Sequence, residues 1–183
     1  MQNSVEINKP IMAVSVAYRL GPFGFLNGDQ VMGEGLTNIG LKDQRLALHW
    51  ISENIGAFGG LSHHSSHMLF SMLTLKGDPT KVTIWGESAG AAAVGFHLTA
   101  FNGRDDKLFH AAMMESGNPV SYAPLNGTDF YEPRYQAVVQ GAGCQNDNDT
   151  LECLRQVPFT TLNNILNTTE LNSNWFVFRI TCL

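Results

Sequence analysis

"TIWGESAG", residues 83–90, sets a serine between two glycines, just after a β-branched run and just before a stretch of small residues. That order reads as strand, sharp turn and helix. A nucleophilic serine needs its hydroxyl held proud of a sheet with a backbone donor beside it, and a tight strand-to-helix turn supplies both. A strained backbone at Ser88 calls for neighbours without side chains, which assigns Gly86 and Gly90 to the elbow. The N–H of Ala89 would face an oxyanion developing on a substrate carbonyl, helped by the positive end of the helix. In a chain with 18 glycines the bare five-residue pattern is weak evidence. The strand-like run before it and the helix-like run after it give it weight.

Working outward, "KVTIWG" (81–86) reads as a strand and "SAGAAAVGFHLTA" (88–100) as a helix packed closely on a sheet. "PIMAVSVAY" (10–18) is a continuous apolar run, as expected of a strand buried on both faces of a parallel sheet. The glycine-rich "RLGPFGFLNGDQVMGEGLTN" (19–38) reads as a long ordered loop. Next, Leu41, Leu48, Ile51 and Ile55 recur at helical spacing, with Gly56 as the stop. "LFHAAMMESG" (108–117) is a further strand-like run. Beyond about residue 120 the chain turns polar, with helical stretches around 131–141 and 150–156. Alternating strands and helices predict an α/β fold with a mostly parallel central sheet and flanking helices.

The chain has 183 residues, enough for one domain with its own core, and 44% hydrophobic against 15% charged residues marks it as ordered. A net charge of −5, with no run of Lys or Arg, argues against nucleic acid as a partner. The greasiest stretch, "HMLFSMLTL" (67–75), is far too short to cross a bilayer. The first twenty residues do not read as a signal peptide. Sequons at Asn126, Asn148 and Asn167 nonetheless point to a secretory route. Cys144 and Cys153, nine apart in polar sequence, are either a small disulfide-closed loop or two free thiols. Cys182 is left over.

Three blocks taken together, "VSVAYRLGPFGFL", "NIGLKDQRLALHWISENIGAFGG" and "GDPTKVTIWGESAG", resemble the type-B carboxylesterase/lipase family, the cholinesterase-like branch of the α/β-hydrolases. The likeness is strongest to secreted fungal lipases and esterases. It implies that Ser88 is the nucleophile, that Ala89 gives an oxyanion-hole N–H, and that Glu87 is the adjacent acid tuning the site's field. It implies hydrolysis of small-molecule or lipid carboxylic esters through an acyl-enzyme, with no cofactor and no metal, by an extracellular parent protein. The Cys144–Cys153 pair matches a small disulfide loop of the fungal members. The alternative is a non-catalytic cholinesterase-like binding or adhesion protein, against which retention of the serine counts.

The chain also departs from the family pattern. After Ser88 the only histidines are His97 and His110, and neither sits where the family places its base. The triad acid and base, and the HGGG-type loop of the oxyanion hole, are therefore expected to be missing. The chain reads as an inactive fragment of one α/β-hydrolase domain, its N- and C-terminal parts absent. "LSHHSSHMLFSMLTLKG" (61–77) interrupts the family's direct passage from "FGG" to "DP". It is expected to be a loop insertion or an in-frame intron read through. Its three histidines lack metal-ligand spacing. The tail 176–183 is expected to be aberrant in the same way, and Ala17 stands where relatives carry Asn.

Overall fold

The computed structural model describes residues 4, 6, 7, 9–58, 77–118 and 127–168, with side chains from residue 130 onward in the last segment. The tail (176–183), Asn126 and all of the expected insertion (61–77) but Gly77 lie outside the described residues. β1 (Thr83–Glu87) and β2 (Ala111–Glu115) pair in parallel, in register from Thr83 opposite Ala111 to Glu87 opposite Glu115. The helix Ala89–Gly103 crosses between them, which gives the β–α–β unit that the sequence predicts.

The helices follow from spacing and caps. Before the sheet lie α1 (Gly21–Phe25), α2 (Asp29–Gly33) and α3 (Ile39–Asn54), the last ending in a 3₁₀ turn over Ile55–Ala57. Leu41, Leu48, Ile51 and Ile55 are all buried, so the helical spacing marks the packed face. Leu48, Ile51 and Ile55 join Leu108 in one cluster against Val82 and Ile84, seating α3 on the sheet. α4 (Ala89–Gly103) buries Ala91, Ala92, Ala93 and Val94, and these small side chains let it lie close against both strands. Its regular geometry stops at Thr99: Ala100 is extended, and Phe101 and Asn102 have φ of 53° and 60°.

A second core joins α2 to α5 (Gly127–Gly141), α6 (Thr150–Gln156) and α7 (Phe159–Leu166). Val31, Tyr135, Val138, Val139, Cys144, Leu151, Leu154 and Leu166 form it.

Two expectations are corrected. Residues 10–18 form no strand, and most of their side chains are exposed. β-branched residues suit a sheet, but a strand is defined by its ladder, and no strand pairs with this segment among the described residues. It is instead anchored at its end by Arg19, whose N–H and guanidinium hold Asp43 of α3 in bonds of 3.1, 2.7 and 2.6 Å. Residues 19–38, expected as a long ordered loop, carry α1 and α2. Gly24 is required there, because a Cβ on it would stand 2.1 Å from the Arg19 carbonyl oxygen. Among the described residues, the helices pack on one face of the sheet. Trp85 and Met113, paired in register, are 64% and 53% exposed on the other.

Phe58 and Gly77, the described residues on either side of 59–76, meet. The Gly77 N–H donates to the Phe58 carbonyl at 3.2 Å, and a Cβ on Gly77 would lie 2.4 Å from the Ile55 carbonyl oxygen. The chain resumes at the point where it departs.

Candidate active site

Ser88 is the joint between β1 and α4. Its N–H donates to the Glu115 carbonyl at 2.9 Å, carrying the ladder one residue past β1. Its carbonyl accepts from the Ala92 N–H at 3.1 Å, opening the helix. To do both it adopts φ 52° and ψ −115°. A non-glycine residue held so stores on the order of 1–3 kcal/mol of strain. Its side chain is exposed and makes no capping bond to the helix. Ala89 follows as the first helical residue, where a backbone N–H has no intrahelical acceptor.

The two flanking glycines are not equivalent. A Cβ on Gly86 would stand 2.2 Å from both the carbonyl carbon and oxygen of Gly90, so the bend closes only over a bare Cα at 86. A Cβ on Gly90 would meet nothing within 4 Å. The steric demand attributed to both glycines falls on Gly86. Gly117, two residues beyond β2, is a second tight position that the sequence reading missed. Its Cβ would lie 3.0 Å from the Ser88 carbonyl oxygen and 3.1 Å from the Ala91 Cβ. Its place in the run "MMESGN" gave no separate signal, because the contact joins strand ends 29 residues apart. Glu87 is exposed, as is Glu115 opposite it, so two carboxylates border the mouth of the turn.

Neither downstream histidine faces Ser88. His97 is only 7% exposed and its Nε2 lies 2.9 Å from Gln44 Oε1 on α3. Burial, with the Arg45 charge adding to it, lowers its pKa to about 4, so it is neutral at pH 7. The Nδ1 of His110 lies 2.9 Å from the Val82 carbonyl oxygen. That contact is at the N-terminal end of the sheet, about 20 Å of strand away from Ser88.

The far end of α4 is clamped by charge. Asp106 takes the Arg104 guanidinium through two 2.8 Å bonds and also pairs with Arg45 of α3. Those two cations, Arg104 first, hold its carboxyl down at about 2. Both guanidiniums stack on Phe101 with 4.8 Å to the ring centre.

The sulfurs of Cys144 and Cys153 are joined in a disulfide. Asp147 lies beside them, but bonded sulfurs are poor metal ligands. Asn148 and Asn167 are exposed, the latter closing α7. Among the described residues no helix is long and apolar enough to cross a membrane.

Comparison with known proteins agrees with this architecture. The Carboxylesterase family model matches residues 3–64 and 74–181, and breaks off inside the interrupting segment. Lipase 2 of Geotrichum candidum is 41% identical over 180 residues, which cover 93% of this chain and 28% of that lipase. Secreted lipase 1 of Botryotinia fuckeliana is 42% identical over 170 residues, 90% of this chain and 26% of that protein. The crystal structure of Aspergillus niger EstA superposes with a TM-score of 0.64 at 33% identity, over 81% of this chain and 25% of that one. The chain thus spans between a quarter and three tenths of the length of these relatives. With a serine at the strand-to-helix bend, a partial α/β-hydrolase architecture around it and a family match over nearly its whole length, this chain belongs to the carboxylesterase family.

Proposed function

We propose that the chain carries the nucleophile of a secreted carboxylic ester hydrolase of the lipase or esterase kind. Ser88 Oγ attacks the ester carbonyl, the oxyanion is received by the Ala89 N–H at the start of α4, and the alcohol departs. Water then cleaves the acyl-serine. These steps need protein groups and water only. The observation that carries the reading is the exposed Ser88 held at φ 52° and ψ −115° at the joint of strand and helix. It also favours hydrolysis over a non-catalytic binding role.

A serine at pH 7 needs a histidine base oriented by a carboxylate. His97 is engaged by Gln44, and His110 lies at the far end of the sheet. We therefore assign the acid and base to sequence of the whole protein outside the described residues, and this chain alone to slow or absent turnover. Glu87, with Glu115 beside it, sets a negative field at the turn. That field stabilises the protonated base formed during attack.

The test is a fluorophosphonate probe. Protein made from the complete transcript should be labelled at Ser88 and lose the label on Ser88→Ala, while the 183-residue chain labels far more slowly. Label on another residue, or none in the complete protein, overturns the reading.

A further inference from the structure

The sequon Asn148-Asp149-Thr150 lies inside the loop closed by Cys144 and Cys153, and its two working groups have opposite fates. The Asn148 side chain is exposed. The Thr150 hydroxyl is withdrawn: the residue is 8% exposed, and its Oγ1 lies 2.7 Å from the Tyr135 hydroxyl and donates to Gln30 Oε1 at 2.8 Å. Tyr135 is fully buried. Gln30 Oε1 also accepts the Leu151 N–H at 3.0 Å, and Gln30 Nε2 donates to the Asn148 carbonyl at 3.2 Å. Asp149 caps α6 by accepting the Glu152 N–H at 2.8 Å. All three sequon residues are thus fixed in a helix-start geometry, two of them by Gln30, up to 120 residues distant.

N-linked glycosylation needs the hydroxyl of the third residue as well as the asparagine amide, both offered from a segment free to extend. We propose that Asn148 is a glycan acceptor that is modified only before the Cys144–Cys153 loop folds, and that loop closure competes with the modification. In the transfer, Asn148 Nδ2 forms a bond to C1 of the first sugar of a lipid-pyrophosphate-linked oligosaccharide. The C1–O bond breaks, the lipid pyrophosphate leaves with that electron pair, and the amide gives up one proton. The folded loop refuses the reaction yet accepts its product. What Gln30 holds is the backbone carbonyl of Asn148, while the side chain points to solvent. Both events belong to the oxidising secretory lumen, so they run against each other in time. The inference rests on the secretory route proposed above, not on the chemistry of Ser88.

Purified chain is offered to solubilised oligosaccharyltransferase with a lipid-pyrophosphate oligosaccharide in three forms: oxidised, reduced and unfolded, and oxidised Gln30→Ala with its disulfide intact. Asn148 occupancy is read by mass spectrometry after deglycosylation in heavy-oxygen water. The reduced chain should be modified about tenfold more than the oxidised one, since only locally opened molecules of the latter present Thr150. Gln30→Ala should fall between them. Equal occupancy in the oxidised and reduced chains, no modification in the reduced chain, or a Gln30→Ala value equal to that of the oxidised chain would each overturn the proposal. The same ratios should hold with Ser88→Ala, so failure here and failure of the hydrolase reading are told apart.

Discussion

A methyl group on Gly86 would stand 2.2 Å from the carbonyl carbon of Gly90, whereas a methyl on Gly90 would find open space. The elbow's two glycines therefore differ in what they tolerate. Gly86→Ala should destabilise the fold by about 2–4 kcal/mol, because backbone rather than a flexible side chain must move. Gly90→Ala, in the first turn of a helix with open space for the methyl, should leave stability unchanged or raise it by up to about 1 kcal/mol. Urea unfolding of the two variants checks the contrast, and equal losses would contradict it.

His97 makes stability depend on acid. Its folded pKa of about 4, set first by burial and then by Arg45, lies below the ordinary 6.5. Between those values the unfolded chain binds the proton and the folded chain does not, so stability rises with pH. Neutral His97 costs nothing above pH 6.5, and up to about 3 kcal/mol is lost as pH falls from 6.5 to 4. His97→Gln, which keeps a partner for Gln44, should flatten that slope in unfolding midpoints measured from pH 4 to 7. Asp106 adds a separate, lower window: its depressed pKa contributes stability above the ordinary carboxylate range that disappears as pH falls towards 2.

The Cys144–Cys153 bond closes a nine-residue separation. On loop-entropy grounds, Cys144→Ser with Cys153→Ser should lower stability by roughly 2.5–3 kcal/mol. Because Cys144 sits among the core residues of α5 and α6, the loss should appear first as hydrogen exchange in those helices.

Removing residues 61–77, to join Gly60 to Asp78, should leave the fold intact. Phe58 and Gly77 already meet through a hydrogen bond, so the joint spans no distance that the excursion is needed to cover. Shortening the connection by about three halvings should stabilise by about 2 kcal/mol. A thermal midpoint that falls instead would show that residues 61–77 contribute packing of their own.

Ser88, Gly86 and Ala89 were legible because an elbow is local. One stretch of a few residues contains the strand, the bend and the helix start, and each is written in residue types. The same holds for α3, whose buried leucines and isoleucines repeat at the helix period. α7 went unread because Asn and Thr make up half of its sequence, although Leu162, Ile165 and Leu166 repeat at helical spacing. The expected strand at 10–18 failed for the opposite reason: its composition was right, but a ladder needs a second chain segment that residue types cannot supply.

The sequence by itself determined where a strand, a sharp bend and a helix start meet at a serine, and which residues frame that bend. Tertiary structure decided the rest: that Gly86 and not Gly90 is hemmed in, that His97 turns to Gln44, and that Gln30 and Tyr135 draw in the Thr150 hydroxyl. The division has one physical cause. Backbone bends and helix periods are short-range preferences carried by neighbouring residues, whereas burial, pKa and hydrogen-bond partnership depend on which distant segments the fold presses together.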